Sequence, residues 1–138
     1  MAVPFEGGGR CRAVRYRCTT EPALVLHCYC RDCQYSSGGA CTTALVVRAD
    51  SVTVDGSPAS FSVEADSGTT VSRLFCATCG SPLFAQNRSA PALFVIKAAT
   101  LDDPSWLRPA AHIWTDSAPP WACMADQLTR FPRNFGAH

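Results

Sequence analysis

The 138-residue sequence is poor in charge and has no long hydrophobic run. Charged residues make up 17% of the chain, the formal net charge is +1, and like charges form no block. A nucleic-acid-binding protein would need clustered Lys and Arg to contact phosphates, so this class is disfavoured. A membrane-spanning helix would need roughly 20 consecutive apolar residues, and no stretch approaches that length. We therefore expect neither a nucleic-acid partner nor a membrane partner.

The N-terminal residues are also without a long apolar run. The N-terminal residues MAVPFEGGGR lack the apolar core of a signal peptide, so we expect a cytoplasmic protein. Apolar residues make up 47% of the chain, which is typical of a folded protein rather than a disordered one. No repeat or low-complexity linker divides the sequence. Its length suits one ordinary domain, and residues 1–138 are expected to form a single domain.

Signals for helices are weak, whereas signals for strands recur along the chain. Short, β-branched apolar stretches bounded by turn residues predict strands at 13–17, 22–28, 43–49, 51–55, 60–64, 69–76, 81–87 and 92–98. The first two are expected to pair with each other. Short helical turns are predicted only at 33–37 and 102–107. With 10 prolines and 9 glycines, the sequence favours a mostly-β fold of short antiparallel strands.

Cysteine, by contrast, is abundant. Nine cysteines occur, at positions 11, 18, 28, 30, 33, 41, 76, 79 and 123. Their number is odd, and five of them lie in C-x-C or C-x2-C spacing. In a reducing compartment, such spacing indicates metal binding rather than disulfide bonds.

Two segments concentrate the closely spaced cysteines. LHCYCRDCQ (residues 26–34) contains Cys28, Cys30 and Cys33, one thiol too few for a closed zinc site. FCATCG (residues 75–80) is a zinc knuckle in which a glycine with positive φ would follow the second cysteine. Spacing alone allows one closed site made of Cys30, Cys33, Cys76 and Cys79. That assembly would leave Cys28 and Cys11 unexplained, and its two pairs are far apart for a zinc ribbon.

Several segments agree with one known family in type, order and spacing. They are GGGRCRAVRY (7–16), HCYCRDC (27–33), SGTTVSRLFCATCGS (67–81), TLDDP (100–104), HIWTDSAPPW (112–121) and LTRFP (128–132). Together they resemble the glutathione-dependent formaldehyde-activating enzyme family, which also includes centromere protein V. The resemblance extends from about residue 7 to residue 131 and implies a mostly-β fold called a β-tent.

The resemblance also implies two zinc sites. An open, functional site would be formed by the Cys28, Cys30 and Cys33 thiolates. A structural site would be formed by a C-x-C pair and the later C-x2-C pair, here Cys11, Cys76 and Cys79.

This chain departs from the family at Gly9, which stands where the first cysteine of the structural site is expected. Water or another side chain could complete that site, or the site could be weakened or empty. Cys18 is a poor substitute, since seven residues of straight strand would place it more than about 20 Å from Cys11.

Three thiolates around Zn²⁺ would favour a soft fourth ligand, such as the thiolate of a small molecule. That thiolate would remain nucleophilic and could add to an aldehyde. The resemblance implies a zinc-dependent carbon–sulfur lyase that joins glutathione to formaldehyde, with Cys28, Cys30 and Cys33 as its catalytic cysteines. The alternative is a non-catalytic, zinc-stabilised module that binds a thiol metabolite or a protein partner.

Glutathione carries two carboxylates, so its site should contain cationic donors. Arg31 and Arg73 are the candidates for this role, the alternative for each being a solvated or structurally paired arginine, and Lys97 is a weaker candidate.

The remaining histidines, aromatic residues and cysteines are expected to be mainly structural. His27 and His112 are predicted to pack or hydrogen-bond rather than bind metal. Tyr29 should pack, although its phenol could contact a substrate. The other expected core residues are Cys18, Cys41, Cys123, Trp106, Trp114 and Trp121. Of these, Trp114 and Trp121 could border a substrate cleft instead.

Overall fold

A computed structural model describes residues 3–124 and 127–134. The strands are β1 (Phe5–Gly8), β2 (Arg15–Cys18), β3 (Leu24–Cys28), β4 (Thr42–Arg48), β5 (Val52–Asp55), β6 (Ala59–Glu64), β7 (Thr70–Phe75), β8 (Pro82–Asn87), β9 (Leu93–Lys97), β10 (Ala111–Ile113) and β11 (Thr129–Arg130). The one α-helix in this part of the chain is α1 (Arg31–Ser37), and three single-turn 3₁₀ helices lie in the connections. The mostly-β prediction is confirmed.

The strands form two sheets. One has the order β1-β2-β5, and the other has the order β11-β10-β3-β4-β9-β8-β7-β6. Most neighbours are antiparallel, as predicted, but β10 runs parallel to both β3 and β11. Residues 114–128 connect β10 to β11, and a connection of this length allows two neighbouring strands to run parallel.

Pairing of the first predicted strands differs from the expectation. The strand predicted at 13–17 corresponds to β2, which pairs with β1 and β5. The strand predicted at 22–28 corresponds to β3, which pairs with β4 and β10 in the other sheet. The prediction missed β1, whose sequence FEGG is unfavourable for a strand by propensity, and the very short β10 and β11. No regular helix forms at 102–107, where the Leu107 N–H donates to the Pro104 carbonyl in a turn.

The main core lies between the two sheets. Phe5 and Tyr16 from the small sheet join Leu45, Phe84 and Ile96 from the large sheet in one buried cluster. A smaller cluster consists of Leu26, Cys28, Cys33 and Ile113, with Trp114 and Phe131 packed against it. One end of the large sheet is thus built around two of the closely spaced cysteines.

The predicted core residues divide into three groups. Cys18 is fully buried, and Trp106 packs against Phe5 in the main core, so these predictions are confirmed. Cys41 is half-buried. Cys123 is exposed and Trp121 is 68% exposed, so neither is a core residue, and the prediction was wrong for both. Both lie in the connection after β10, which is outside the sheets.

Helix α1 begins within the first cysteine segment. Cys30 is its extended N-cap, and the Cys30 sulfur accepts a hydrogen bond from the Cys33 N–H at 3.3 Å. The helix is capped at its C-terminus by Gly38, whose φ of 72° allows its N–H to donate to the Gln34 carbonyl. The buried Gln34 amide donates to the carbonyls of Tyr29 and Ser117. The helix therefore holds Cys33 against the end of β3.

The described helices are too short and too polar for a transmembrane role. Within residues 3–124 and 127–134, no helix has the length and apolar character needed to cross a membrane.

Candidate functional site

The first cysteine group joins the end of β3 to the start of α1. Cys28 ends the strand, Cys30 caps the helix, and Cys33 lies in its first turn. Their three sulfur atoms all lie within 4.8 Å of one another. Sulfurs around a tetrahedral zinc with bonds of about 2.3 Å would be separated by about 3.8 Å, so a small contraction would suffice. The Cys28/Cys30/Cys33 triad could hold a metal ion.

The second cysteine group joins two loops. Cys11 lies between β1 and β2, and Cys76 and Cys79 follow β7, with all three sulfurs within 4.8 Å of one another. Cys11 Sγ and Cys76 Sγ are 3.6 Å apart. Gly80 has a φ of 77°, and its N–H donates to the Cys76 carbonyl, so the knuckle turn forms as predicted. The Cys11/Cys76/Cys79 triad could hold a second metal ion.

The positions of the sulfur atoms exclude the single four-cysteine zinc site that spacing alone suggested. Cys30 and Cys33 join Cys28, whereas Cys76 and Cys79 join Cys11, so the closed four-cysteine site is not formed. Cys18 belongs to neither triad, because its sulfur lies in the core near Ser51 Oγ and the Thr20 carbonyl.

Two cations, Lys97 and Arg73, lie near the first triad. Hydrogen bonds from Cys28 and Cys30 hold the pKa of Cys33 well below its usual value, and the nearby Lys97 and Arg73 lower it further. Hydrogen bonding to Cys30 and Cys33 raises the pKa of Cys28. Lys97 and Arg73 thus both favour the thiolate form of Cys33.

Arg73 contacts the triad and carries donors that have no partner among the described residues. Its Nη2 lies 4.0 Å from Cys33 Sγ. Its Nε and Nη1 are buried and have no hydrogen-bond partner among the described residues. Leaving a buried donor unpaired costs about 1–3 kcal/mol, and more when the group is charged. This guanidinium is suited to receive an anionic ligand.

Lys97, the weaker candidate from the sequence, is a buried cation in the structure. It ends β9 and is only 7% exposed, with its Nζ donating to Ser36 Oγ at 3.1 Å. Burial lowers the pKa of Lys97, and the thiols of the first triad oppose that effect. A lysine that directly follows a run of apolar strand residues, as in LFVIK, is the sequence signal that could have identified it.

Arg31 lies apart from these cations. Its guanidinium donates to Gln34 Oε1 and lies 5.0 Å from the centre of the exposed Tyr35 ring. Arg31 lines neither of the two cavities described next.

Two cavities meet at Lys97. The first, which we call the α1–β7 cavity, has a volume of about 480 Å³ and lies beside Arg73. Its other lining residues are Asp32, Tyr35, Ser36, Phe61, Val63, Leu74, Phe75, Gly80, Pro82 and Phe84. The second, which we call the β1–β2 cavity, has a volume of about 660 Å³ and extends from Lys97 to Gly9. Both volumes fall in the range of small-molecule sites.

Comparison with known families identifies the chain. Residues 4–117 match the family described as glutathione-dependent formaldehyde-activating enzyme. The chain belongs to this family. The match confirms the resemblance seen in the cysteine segments, and both triads of this formaldehyde-activating family member lie within the matched residues.

Comparison with solved structures and with curated proteins gives less information about the chain. A crystal structure of a Rhodobacter sphaeroides protein is 22% identical, with a TM-score of 0.57, and the match covers 75% of this chain and 91% of that one. At this identity the likeness supports the fold alone. No curated protein matches the chain significantly.

The donor chemistry of this family member fits a metal in both triads. Each triad offers three sulfurs and no oxygen or nitrogen ligand among the described residues. Such a donor set suits a soft or borderline ion and is unsuitable for magnesium or calcium.

His27 and His112 pack and form hydrogen bonds, as predicted. His112 is buried, and its Nδ1 forms a 2.9 Å hydrogen bond with the Tyr29 phenol. His27 stacks on His112 at 5.2 Å and forms a 2.7 Å hydrogen bond with Thr43 Oγ1. Tyr29 is also buried, and burial raises the pKa of its phenol to about 12. Its hydroxyl faces His112, which fits the predicted packing role.

Proposed function

We propose that this protein is a zinc-dependent carbon–sulfur lyase that joins a small thiol, such as glutathione, to formaldehyde or a related aldehyde. Family membership supports the reaction class. The observation that carries the proposal is the position of Arg73. Arg73 lines the α1–β7 cavity, its Nη2 lies 4.0 Å from Cys33 Sγ, and its Nε and Nη1 have no hydrogen-bond partner among the described residues. A ligand could therefore place its sulfur at the triad and an anionic group on Arg73.

In this proposal, Cys28, Cys30 and Cys33 hold the zinc ion and leave one coordination position for the substrate sulfur. Zinc would supply a positive charge that favours the deprotonated, nucleophilic form of a bound thiol. In the net reaction a carbon–sulfur bond forms between the thiol and the aldehyde carbon. The carbonyl π bond breaks, and the proton lost by the thiol ends on the aldehyde oxygen.

The surrounding residues would orient the thiol. Arg73 and Lys97 can each donate charge-assisted hydrogen bonds to a carboxylate, and glutathione carries two carboxylates. Phe61, Leu74 and Phe84 line the same cavity with apolar surface and would limit water around the bound molecule. Arg31, which is engaged with Gln34, would have no direct part in binding.

The proposal includes a cytoplasmic location and a single domain formed by residues 1–138. None of the nine cysteines forms a disulfide bond, which fits a reducing compartment where glutathione keeps thiols reduced.

The test measures formaldehyde consumption by zinc-loaded protein, with and without glutathione, against the uncatalysed reaction. We expect a glutathione-dependent rate increase that Cys30→Ser abolishes while circular dichroism shows the fold intact. Cys123→Ser is the matched control, because Cys123 is exposed and belongs to neither triad. If zinc-loaded protein never changes the rate, the enzyme proposal fails. Glutathione binding by calorimetry without turnover would then support the non-catalytic binding module.

A further inference from the structure

We infer that the Cys11/Cys76/Cys79 triad is a second metal site whose fourth position is left open at Gly9 and accepts a thiol from solution. This inference concerns a site separate from the one proposed for catalysis and does not depend on turnover.

Gly9 lies directly against the triad. It is buried, and a Cβ placed on it would lie 3.3 Å from Cys76 Cβ and 3.6 Å from both Cys76 Sγ and Cys79 Sγ. Its φ is not in the left-handed region, so the backbone would accept an L side chain. Two hydrogen bonds hold the loop, from the Gly9 N–H to the Val14 carbonyl and from the Arg12 N–H to the Gly9 carbonyl. Position 9 is therefore the place from which a fourth ligand would project, and glycine offers none.

No neighbouring side chain replaces the missing ligand. Among residues 3–124 and 127–134, no further His, Cys, Asp or Glu joins the group. Ser81 Oγ lies 3.1 Å from Cys79 Sγ, but it already accepts a 3.0 Å hydrogen bond from the Arg10 N–H. A neutral hydroxyl is also a hard oxygen donor that matches a thiolate-bound ion poorly. The fourth ligand of a tetrahedral ion at this triad would then come from solution.

The surface around the Cys11/Cys76/Cys79 triad is open to solution and carries arginines that favour an anionic ligand. Cys11 and Cys79 are exposed, so solution has direct access to the sulfurs. Gly9, Arg10 and Ser81 also line the β1–β2 cavity, together with Arg12 and Arg15.

The arginines of this cavity provide the charge. Arg15 is bound to Asp102, whereas Arg10 and Arg12 are exposed and form no ion pair with any described residue. Three thiolates around a divalent ion carry a net charge near −1, and the arginines offset the repulsion of an incoming anion. The ligand class that fits both the metal and the cavity is a small thiol bearing a carboxylate. It would bind as the thiolate, with its proton released to solvent.

Cobalt(II) spectroscopy tests the inference. A Cys28→Ser/Cys30→Ser variant removes the first triad, so that added cobalt reports on Cys11, Cys76 and Cys79. We expect sulfur-to-cobalt absorption that strengthens when glutathione is titrated into the sample. Adding Gly9→Cys should give the stronger four-thiolate spectrum from the start and remove the response to glutathione. Gly9→Ala, which adds a Cβ without a sulfur, should keep the response.

Release of zinc to a chelator provides a second measurement, on the full-length chain with both triads intact. We expect biphasic release, with the faster phase slowed at least tenfold by Gly9→Cys and not by Gly9→Ala. The inference is overturned if folded protein binds no metal at the second triad or if glutathione leaves the cobalt spectrum unchanged. Equal release rates for Gly9→Cys and Gly9→Ala would also overturn it. None of these readouts involves formaldehyde, so they stand or fall separately from the proposed enzyme activity.

Discussion

Arg73 has buried guanidinium nitrogens without a hydrogen-bond partner among the described residues, unlike the arginines that are paired. Arg15 pairs with Asp102, Arg48 pairs with Asp50, and Arg31 donates to Gln34. Arg73 has only the long contact to Cys33 among the described residues, although two of its nitrogen atoms are buried. Stability alone does not favour such an arrangement, and a bound anion would satisfy it.

We expect Arg73→Met to weaken glutathione binding about 10- to 100-fold, because hydrogen bonds to charged groups contribute about 1.5–3 kcal/mol. The free energy of unfolding should stay constant or rise, since the variant removes an unpaired buried charge. Calorimetric titration of zinc-loaded protein with glutathione and urea unfolding provide the two measurements. Arg31→Met is the matched control and should leave affinity unchanged. An equal loss of affinity in both variants would contradict the assignment.

The buried hydrogen bond between Tyr29 and His112 allows a prediction about stability. Tyr29→Phe keeps the ring and removes the hydroxyl, so His112 Nδ1 loses this partner. We expect a loss of about 1–2 kcal/mol in the free energy of unfolding by urea denaturation. Tyr35→Phe is the control, since Tyr35 is 79% exposed, and it should change stability by less than about 0.5 kcal/mol. Equal stability of the two variants would show that the hydrogen bond is unimportant.

Among the local elements, the two cysteine turns were the most predictable from sequence. C-x2-C spacing brings two sulfurs together within a single turn, so residues far along the chain are not needed to form it. Cys30 and Cys33 form such a turn at the start of α1, and Cys76 and Cys79 form another closed by Gly80. Strand pairing was less predictable, because propensity does not say which partner a strand will find.

Replacing Gly80, which closes the turn of Cys76 and Cys79, should affect metal binding as well as stability. Gly80→Ala places a Cβ at a φ of 77°, which costs about 1–2 kcal/mol and disturbs the turn that holds Cys76 and Cys79. Gly68→Ala provides the control, because Gly68 has a φ of 86° and, like Gly80, has no atom within 4 Å of its Cβ position. We expect similar decreases in melting temperature, but a weaker second metal site only for Gly80→Ala. Chelator competition measures the metal affinity, and a matching loss in Gly68→Ala would refute the local explanation.

Both sheets depend on one core that also supports the ligand-binding region. Leu45 is fully buried in β4, which lies between β3, the strand that ends at Cys28, and β9, the strand that ends at Lys97. Its packing partners come from both sheets. A cavity at this position should therefore weaken the entire fold rather than one site.

We expect Leu45→Ala to lower the free energy of unfolding by about 2–5 kcal/mol, as large-to-small core substitutions do. Leu93→Ala on the adjacent strand is the control, because Leu93 is 41% exposed, and it should cost less than about 1 kcal/mol. Chemical denaturation followed by tryptophan fluorescence measures both variants. A small loss for Leu45→Ala would mean that the core collapses around the missing side chain.

The sequence by itself determined the features that act over a few residues. Cysteine spacing predicted both turns, alternation and β-branching predicted the strands now labelled β2 to β9, and the segment pattern led to the family. These signals are local, because a turn or strand depends mostly on its own residues and their side-chain preferences.

Tertiary structure alone decided which distant groups meet. Cys11 joins Cys76 across 65 positions, a grouping that spacing did not give and only the family resemblance implied. Arg73 reaches Cys33 across 40 positions, although the sequence could not say which of the two candidate arginines would do so. The parallel direction of β10 has no marker in the sequence, and the apolar run before Lys97 indicates its burial only indirectly. Sheet order and packing of the shared core bring these groups together, and both depend on the free energy of the folded chain rather than on any single segment.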